Sequence, residues 1–144
     1  MKKETIAIAS DHAGRELKNI LKEELAALGY GVMDLGTNDH ESVDYPDFAN
    51  ALAAALKENK ASRGVLVCGT GIGISIAANR HPEIRAAPCH DALSARLARQ
   101  HVDANVLAFG GRLIGVETAK DCLRVFLTTA FEGGRHARRV QKLA

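Results

Sequence analysis

No tryptophan occurs among the 144 residues, and there are only two tyrosines and four phenylalanines. So few aromatics leave few stacking platforms for bases, and a net charge of +2 provides no general basic field. A nucleic-acid partner is therefore not expected. The three cysteines, Cys68, Cys89 and Cys122, are an odd number, and none sits in a C-x-x-C pair. That speaks against a disulfide framework, thioredoxin-like redox chemistry and a thiolate zinc site, and leaves free thiols as the expected state. No apolar run approaches membrane-spanning length, and Met1-Lys-Lys-Glu4 leads straight into a short strand-like run without the long apolar core of a signal peptide. The expectation is a cytoplasmic protein with no membrane partner.

What is present is enough apolar residue for a core: 47% hydrophobic and 25% charged, read as one domain over residues 1–144. Strand-like runs alternate with helical periods, which predicts a parallel sheet covered by helices on both faces. Strands are expected at Thr5–Ala9, Gly31–Leu35, Gly64–Cys68, Ile84–Cys89 and Val106–Phe109. Helices are expected around Leu17–Leu28, from Pro46 to about Glu58, up to Asn79, from Asp91 to about Gln100, over Val116–Ala130, and as a basic terminal helix over about 134–144. Ligands in such sheets bind beyond the carboxyl ends of the strands.

The most informative segment is Val65-Leu-Val-Cys68-Gly-Thr70-Gly71-Ile-Gly73-Ile-Ser75. It places a thiol at the end of an apolar strand, in a glycine-rich turn that opens a helix. Helix starts present unpaired N–H groups and a positive dipole end, which favour an anion there, a thiolate included. The loop is not a Walker loop, since it has no lysine; Ile74 stands where a dinucleotide fingerprint needs glycine and where a cysteine phosphatase needs arginine. Taken alone, Cys68 is open to two readings, a reactive base and a buried core thiol; the glycines and the helix start beside it favour the first.

Three further motifs stand in order around it: Ser10-Asp11-His12-Ala13-Gly14, Asp44-Tyr45-Pro46 and Glu132-Gly-Gly-Arg135-His136. Together the four segments resemble the type B ribose-5-phosphate isomerases, over about Ile6–Val140. Allose-6-phosphate and galactose-6-phosphate isomerases belong to the same family. The resemblance implies a three-layer α/β/α Rossmann-like sandwich whose five parallel strands run in the order 2-1-3-5-4. It also implies a cofactor-independent aldose–ketose isomerase of the non-oxidative pentose phosphate branch, interconverting ribose 5-phosphate and ribulose 5-phosphate through an enediolate. A hexose 6-phosphate isomerase and a non-catalytic sugar-phosphate sensor are the alternatives, and the retention of Asp11, Cys68, Thr70 and His101 together disfavours the sensor.

Such a reaction needs a base beside the transferred proton, oxyanion donors and a phosphate anchor, and no metal or cofactor. The resemblance makes Cys68 the base, and Ser75, which stands where another subgroup carries a glutamate base, places the chain in the cysteine subgroup. Thr70 and the backbone of Gly69, Gly71, Ile72, Gly73, Ile74 and Ser75 are then the cradle of the enediolate, each donor worth ~2.7–4 kcal/mol. Thr70 and Ser75 are equally readable as helix caps. The resemblance assigns ring opening to Asp11 and His101, which in isolation read as a helix cap and a cation near a helix C-terminus. Tyr45 and Asn105 are expected to line the sugar.

His12, Arg112, Arg135 and Arg139 are the expected phosphate contacts. Arg135 and Arg139 stand four apart on one helix face, and are otherwise readable as a solvated basic end. The family's sites lie between subunits, so a homodimer, alone or paired into a tetramer, is implied. One position departs from the pattern. Val102 stands where the family carries an asparagine that contacts sugar hydroxyls, and valine can neither donate nor accept. Cys89-His90-Asp91 is read as structural, with Asp91 as a cap, and His40 and His81 as surface residues.

Overall fold

The computed structural model describes residues 3–143. Five parallel strands, β1 (Thr5–Ser10), β2 (Gly31–Asp34), β3 (Arg63–Cys68), β4 (Ala86–Pro88) and β5 (Val106–Gly110), form one sheet in the order β2-β1-β3-β5-β4. Six α-helices connect and flank them: α1 (Arg15–Ala27), α2 (Tyr45–Lys57), α3 (Ile72–Ala78), α4 (Ala92–Val102), α5 (Val116–Thr128) and α6 (Arg135–Gln141). The expected strand order and three-layer architecture are both found.

Strand alternation decides which side chains meet which helices. Ile6, Ile8, Val65, Val67, Leu107 and Phe109 pack on one face with Leu21 and Leu25 of α1, Ala95 of α4 and Leu123 and Phe126 of α5. Ala7, Ala9, Leu66, Cys68 and Ala108 face Leu52 and Ala53 of α2 and Ile74 and Ala78 of α3. Small residues dominate the second face, and α2 seats close enough that a Cβ at Gly64 would lie 2.8 Å from a Leu52 methyl. Cys68 therefore belongs to the α2/α3 side, at the carboxyl edge of the sheet.

Several elements end short of the bounds the sequence predicts, β2 at Asp34 and α5 at Thr128 among them, and β4 and α6 are also trimmed. β4 covers Ala86–Pro88 rather than Ile84–Cys89, because the Ile84 N–H turns back to the His81 carbonyl at 3.0 Å and Pro88 has no N–H to give. α6 ends at Gln141. Asp91 caps α4, its carboxylate accepting the Ser94 N–H at 2.6 Å. A network under β2 had no clear signal in the sequence. The Lys18 ammonium is fully buried and donates to both carboxylate oxygens of Asp34 and to Asn38, each at 2.9 Å.

Candidate active site

Three strand ends converge at the carboxyl edge. β1 delivers Asp11 and His12, β3 delivers Cys68, and β5 runs through Gly110-Gly111 to Arg112. Backbone bonds lock them together. The Asp11 N–H donates to the Val67 carbonyl at 3.2 Å, the Gly111 N–H to the Cys68 carbonyl at 2.8 Å, and the Arg112 N–H to the Gly69 carbonyl at 3.0 Å. So close an approach needs glycine: a Cβ at Gly14 would lie 2.5 Å from the Val67 carbonyl oxygen, and one at Gly110 would lie 2.6 Å from that of Thr70.

Within this frame Asp11 is buried and its carboxylate accepts the Gly14 N–H at 3.0 Å, closing a single 3₁₀ turn at His12–Gly14. His12 Nδ1 accepts the Val43 N–H at 3.2 Å. That bond leaves the ring's proton on Nε2 in the neutral form, a donor suited to a phosphate oxygen. Arg112 is exposed, with its guanidinium over Gly69: a Cβ there would lie 3.4 Å from it. Tyr45 opens α2 and lays its ring against Gly73, where a Cβ would meet it at 2.7 Å.

The thiol is buried, and its Sγ accepts the Gly71 N–H at 3.1 Å. Thr70 Oγ1 accepts the Ile72 N–H at 3.2 Å, and the Ser75 N–H goes to the Gly71 carbonyl at 3.3 Å. The expected cradle is thus narrower than the run Gly71–Ser75. Three of its donors are already engaged, which leaves the Gly73 and Ile74 N–H groups, in the first turn of α3, for a ligand. Ser75 is no cap: it lies inside the helix, and its hydroxyl donates to the Ile72 carbonyl at 2.8 Å. Ile74 contributes backbone only, its side chain being core.

The remaining expected residues lie at the amino edge. β3 and β5 pair from Gly64 with Val106 to Cys68 with Gly110, so Asn105 and the thiol loop are separated by at least the strand length, about 13 Å. Asn105 is committed to structure within the chain: its carbonyl accepts the Arg85 N–H and its amide donates to the Glu83 carbonyl, both at 2.8 Å. The expected sugar contact at Asn105 is thus an amide already bonded on both its polar atoms within the chain. α4 carries the chain back from Asp91 to the same edge and puts His101 and Val102 on its last turn. α6 packs beside it with Arg135 and Arg139 exposed. Val102 borders a cleft of about 310 Å³, shared with Ala104, Val140 and Leu143.

A feature the sequence reading missed is the contact of His101 with His136, whose rings stack at 4.4 Å. The Glu132-Gly-Gly-Arg-His136 run was its only signal. Burial, helped by the neighbouring His101 and Arg135 charges, pushes His136 below the ordinary imidazole value. Cys89 and Cys122 are buried thiols, pushed up by desolvation, Cys122 to about 11. Neither is placed to react.

Residues 6–143 match the sequence profile of the ribose/galactose isomerases. The chain belongs to that family. Ribose-5-phosphate isomerase B of Escherichia coli is 46% identical over 138 residues, covering 96% of this chain and 93% of its own length. D-erythrulose-4-phosphate isomerase of Pectobacterium atrosepticum is 45% identical, covering 96% of this chain and 92% of its own. The crystal structure of a ribose 5-phosphate isomerase from Thermotoga maritima superposes with a TM-score of 0.96 at 51% identity, covering 99% of this chain and 98% of that one. This member of the family is an isomerase, and among its described residues no helix is long and apolar enough to cross a membrane.

Proposed function

We propose that the protein interconverts ribose 5-phosphate and ribulose 5-phosphate, with Cys68 as the proton-transfer base. The observation that carries the reading is the convergence of Asp11, the Cys68–Gly71 loop and Arg112 at one sheet edge, locked by backbone bonds. It gives one small volume an acid or base, a thiol, free N–H donors and a guanidinium. Near relatives of this length carry that activity by name.

In the proposed sequence, Asp11 and His101 exchange protons with the ring oxygen and anomeric hydroxyl of the sugar, which frees the carbonyl. The Cys68 thiolate then takes the proton from C2, and the electron pair moves to the carbonyl oxygen as the enediolate forms. The Gly73 and Ile74 N–H groups and the Thr70 hydroxyl hold that charge. The thiol then returns its proton to C1 while the C2 hydroxyl proton passes to O1, so that C2=O forms as the C1=C2 bond is lost and the ketose results. His12, Arg112, Arg135 and Arg139 neutralise the phosphate.

His101, Arg135 and Arg139 lie at the opposite sheet edge from Cys68, so one chain does not complete this site. The reading therefore includes a homodimer. The sheet ends on β4, and Ile72, Ile76, Leu93 and Leu97 stand more than a third exposed on the helices flanking that side. This is an apolar face suited to a second copy. A two-fold axis across it and perpendicular to the strands reverses the partner's sheet, which brings the partner's amino edge toward this chain's carboxyl edge.

The test is ketose formation and solvent deuterium uptake by NMR with ribose 5-phosphate in D2O. Wild type should turn over, and Cys68→Ala should lose at least ~10²-fold, the lower range for a positioned acid or base. Full turnover by the variant would reject the thiol as base.

A further inference from the structure

Among the described residues, one group of metal-ligating side chains converges away from the thiol loop. Gly133 and Gly134 both take positive φ, +69° and +57°, where no neighbour crowds a Cβ. Glycine is needed there for the turn itself. The turn folds the start of α6 back onto the end of α4, and the Glu132 N–H pins it by donating to the Gln100 carbonyl at 3.1 Å. His101, Glu132 and His136 are thereby brought tip to tip. Glu132 Oε1 lies 3.6 Å from His136 Nε2 and 4.0 Å from His101 Nε2, and one donor atom of each residue lies within 4.8 Å of the others. Neither separation is a hydrogen bond, so three ligating tips face one another without bonding among themselves.

We propose that His101, Glu132 and His136 bind a divalent transition metal of the zinc class. Two imidazoles and one carboxylate are the donor set of open zinc sites, with the fourth position left to water. Tetrahedral bonds of about 2.0–2.1 Å set donor separations near 3.3 Å, so the 3.6 Å and 4.0 Å separations must both close, the one to His101 by more. His136 is buried and fixed, whereas His101 and Glu132 are exposed enough to rotate inward and open the ring stack. With one carboxylate the site is poor for magnesium or calcium, and without sulfur it is poor for copper(I).

Metal on His101 withdraws that imidazole from proton transfer, so the site is inhibitory. This consequence rests on the ring-opening role proposed for His101; the binding itself does not.

The test is titration of the full chain with Co2+, followed by its visible spectrum, and with Zn2+ by calorimetry. One equivalent per chain is expected, with visible d–d bands and no sulfur-to-cobalt charge-transfer band. Binding should vanish in His136→Ala, weaken at least ~10-fold in Glu132→Gln and persist in Cys68→Ala. Should His136→Ala fail to fold, Glu132→Gln decides, since its carboxylate is half exposed. Absence of saturable binding overturns the site, as does binding that Cys68→Ala removes and Glu132→Gln leaves intact. Zn2+ should also stop turnover of ribose 5-phosphate in wild type and spare Glu132→Gln. Stoichiometric metal on these three residues with turnover unchanged upholds the site and rejects the role given to His101.

Discussion

The Gly71 N–H donates to the Sγ of Cys68 at 3.1 Å, so the residue that turns the chain into α3 also holds the thiol. Gly71 has φ +77°, and a Cβ there would come within 2.8 Å of the Phe109 carbonyl carbon and 3.0 Å of its oxygen. These are backbone atoms of a central strand and do not step aside. A left-handed alanine costs about 1–2 kcal/mol before any clash. Gly71→Ala should therefore lose at least that stability in urea unfolding, and most of its turnover, as the clash shifts the loop and carries the residue 71 N–H away from the thiol. Unchanged turnover would show that the bond to Gly71 does not position Cys68.

Gly73 offers a contrast within the same helix. The atoms a Cβ would meet belong to the Tyr45 ring, at 2.7–2.9 Å, and that side chain is 40% exposed and free to swing. Alanine for glycine in a helix is worth about 0.5–1 kcal/mol. Gly73→Ala should hold or raise the melting temperature while shifting KM for ribose 5-phosphate. If KM stays put, Tyr45 does not line the sugar.

The sheet and the thiol loop were legible in the sequence because their signals are local. Apolar runs of strand length alternate with helical periods, and Cys68 is followed by glycines and a helix start that mark a turn at the end of its strand. The strand order came from the family resemblance, since which runs pair is not a local property. What local signals missed depends on the path of α4 back across the sheet. It places His101 and Asn105 a strand length from Cys68, and it makes Asn105 a brace for Glu83 and Arg85. Which N–H groups of the loop stay free was equally hidden, since it depends on those that Thr70 and the thiol already occupy.

Two carboxylates give the fold an acid limb. Hydrogen bonds from Arg63, at 2.7 Å, hold Glu4 below its ordinary 4.5. Burial alone would raise Asp34, but Lys18, Lys22 and the Gly36 N–H override it and hold it below 3.8. Both pKa values are lower in the folded chain. Their stabilisation is therefore complete above the unfolded values and is lost as pH falls through the folded ones. Melting temperature should be insensitive to these groups from pH 7 to about 5 and fall steeply below about 4. Glu4→Gln should start lower at pH 7 and show a shallower acid limb. An identical limb in the variant would remove Glu4 from the account.

Val102 lies on the last turn of α4, one residue after His101 and 39% exposed. In the proposed two-subunit site, this position meets the sugar with a side chain that can make no hydrogen bond. Restoring a polar partner should change transition-state binding by about 1–3 kcal/mol, or kcat/KM for ribose 5-phosphate by ~5- to 150-fold. Val102→Asn assayed on pentose and hexose phosphates checks this, and equal kinetics on every sugar would remove position 102 from the site.

The division of the site between opposite sheet edges can be tested by complementation. Cys68→Ala and His101→Ala homodimers each carry two defective sites and should both be nearly inactive. In a mixed dimer, one site combines Cys68 of one chain with His101 of its partner, both intact, while the other site collects both lesions. Unfolding the two variants together and refolding them at equal ratio gives half heterodimers, each with one working site in two. About a quarter of wild-type activity should therefore return. Recovery at that level places the base and the ring-opening histidine on different chains. If mixing restores nothing while both variants exchange subunits, the two residues act within one chain and the two-subunit site is wrong.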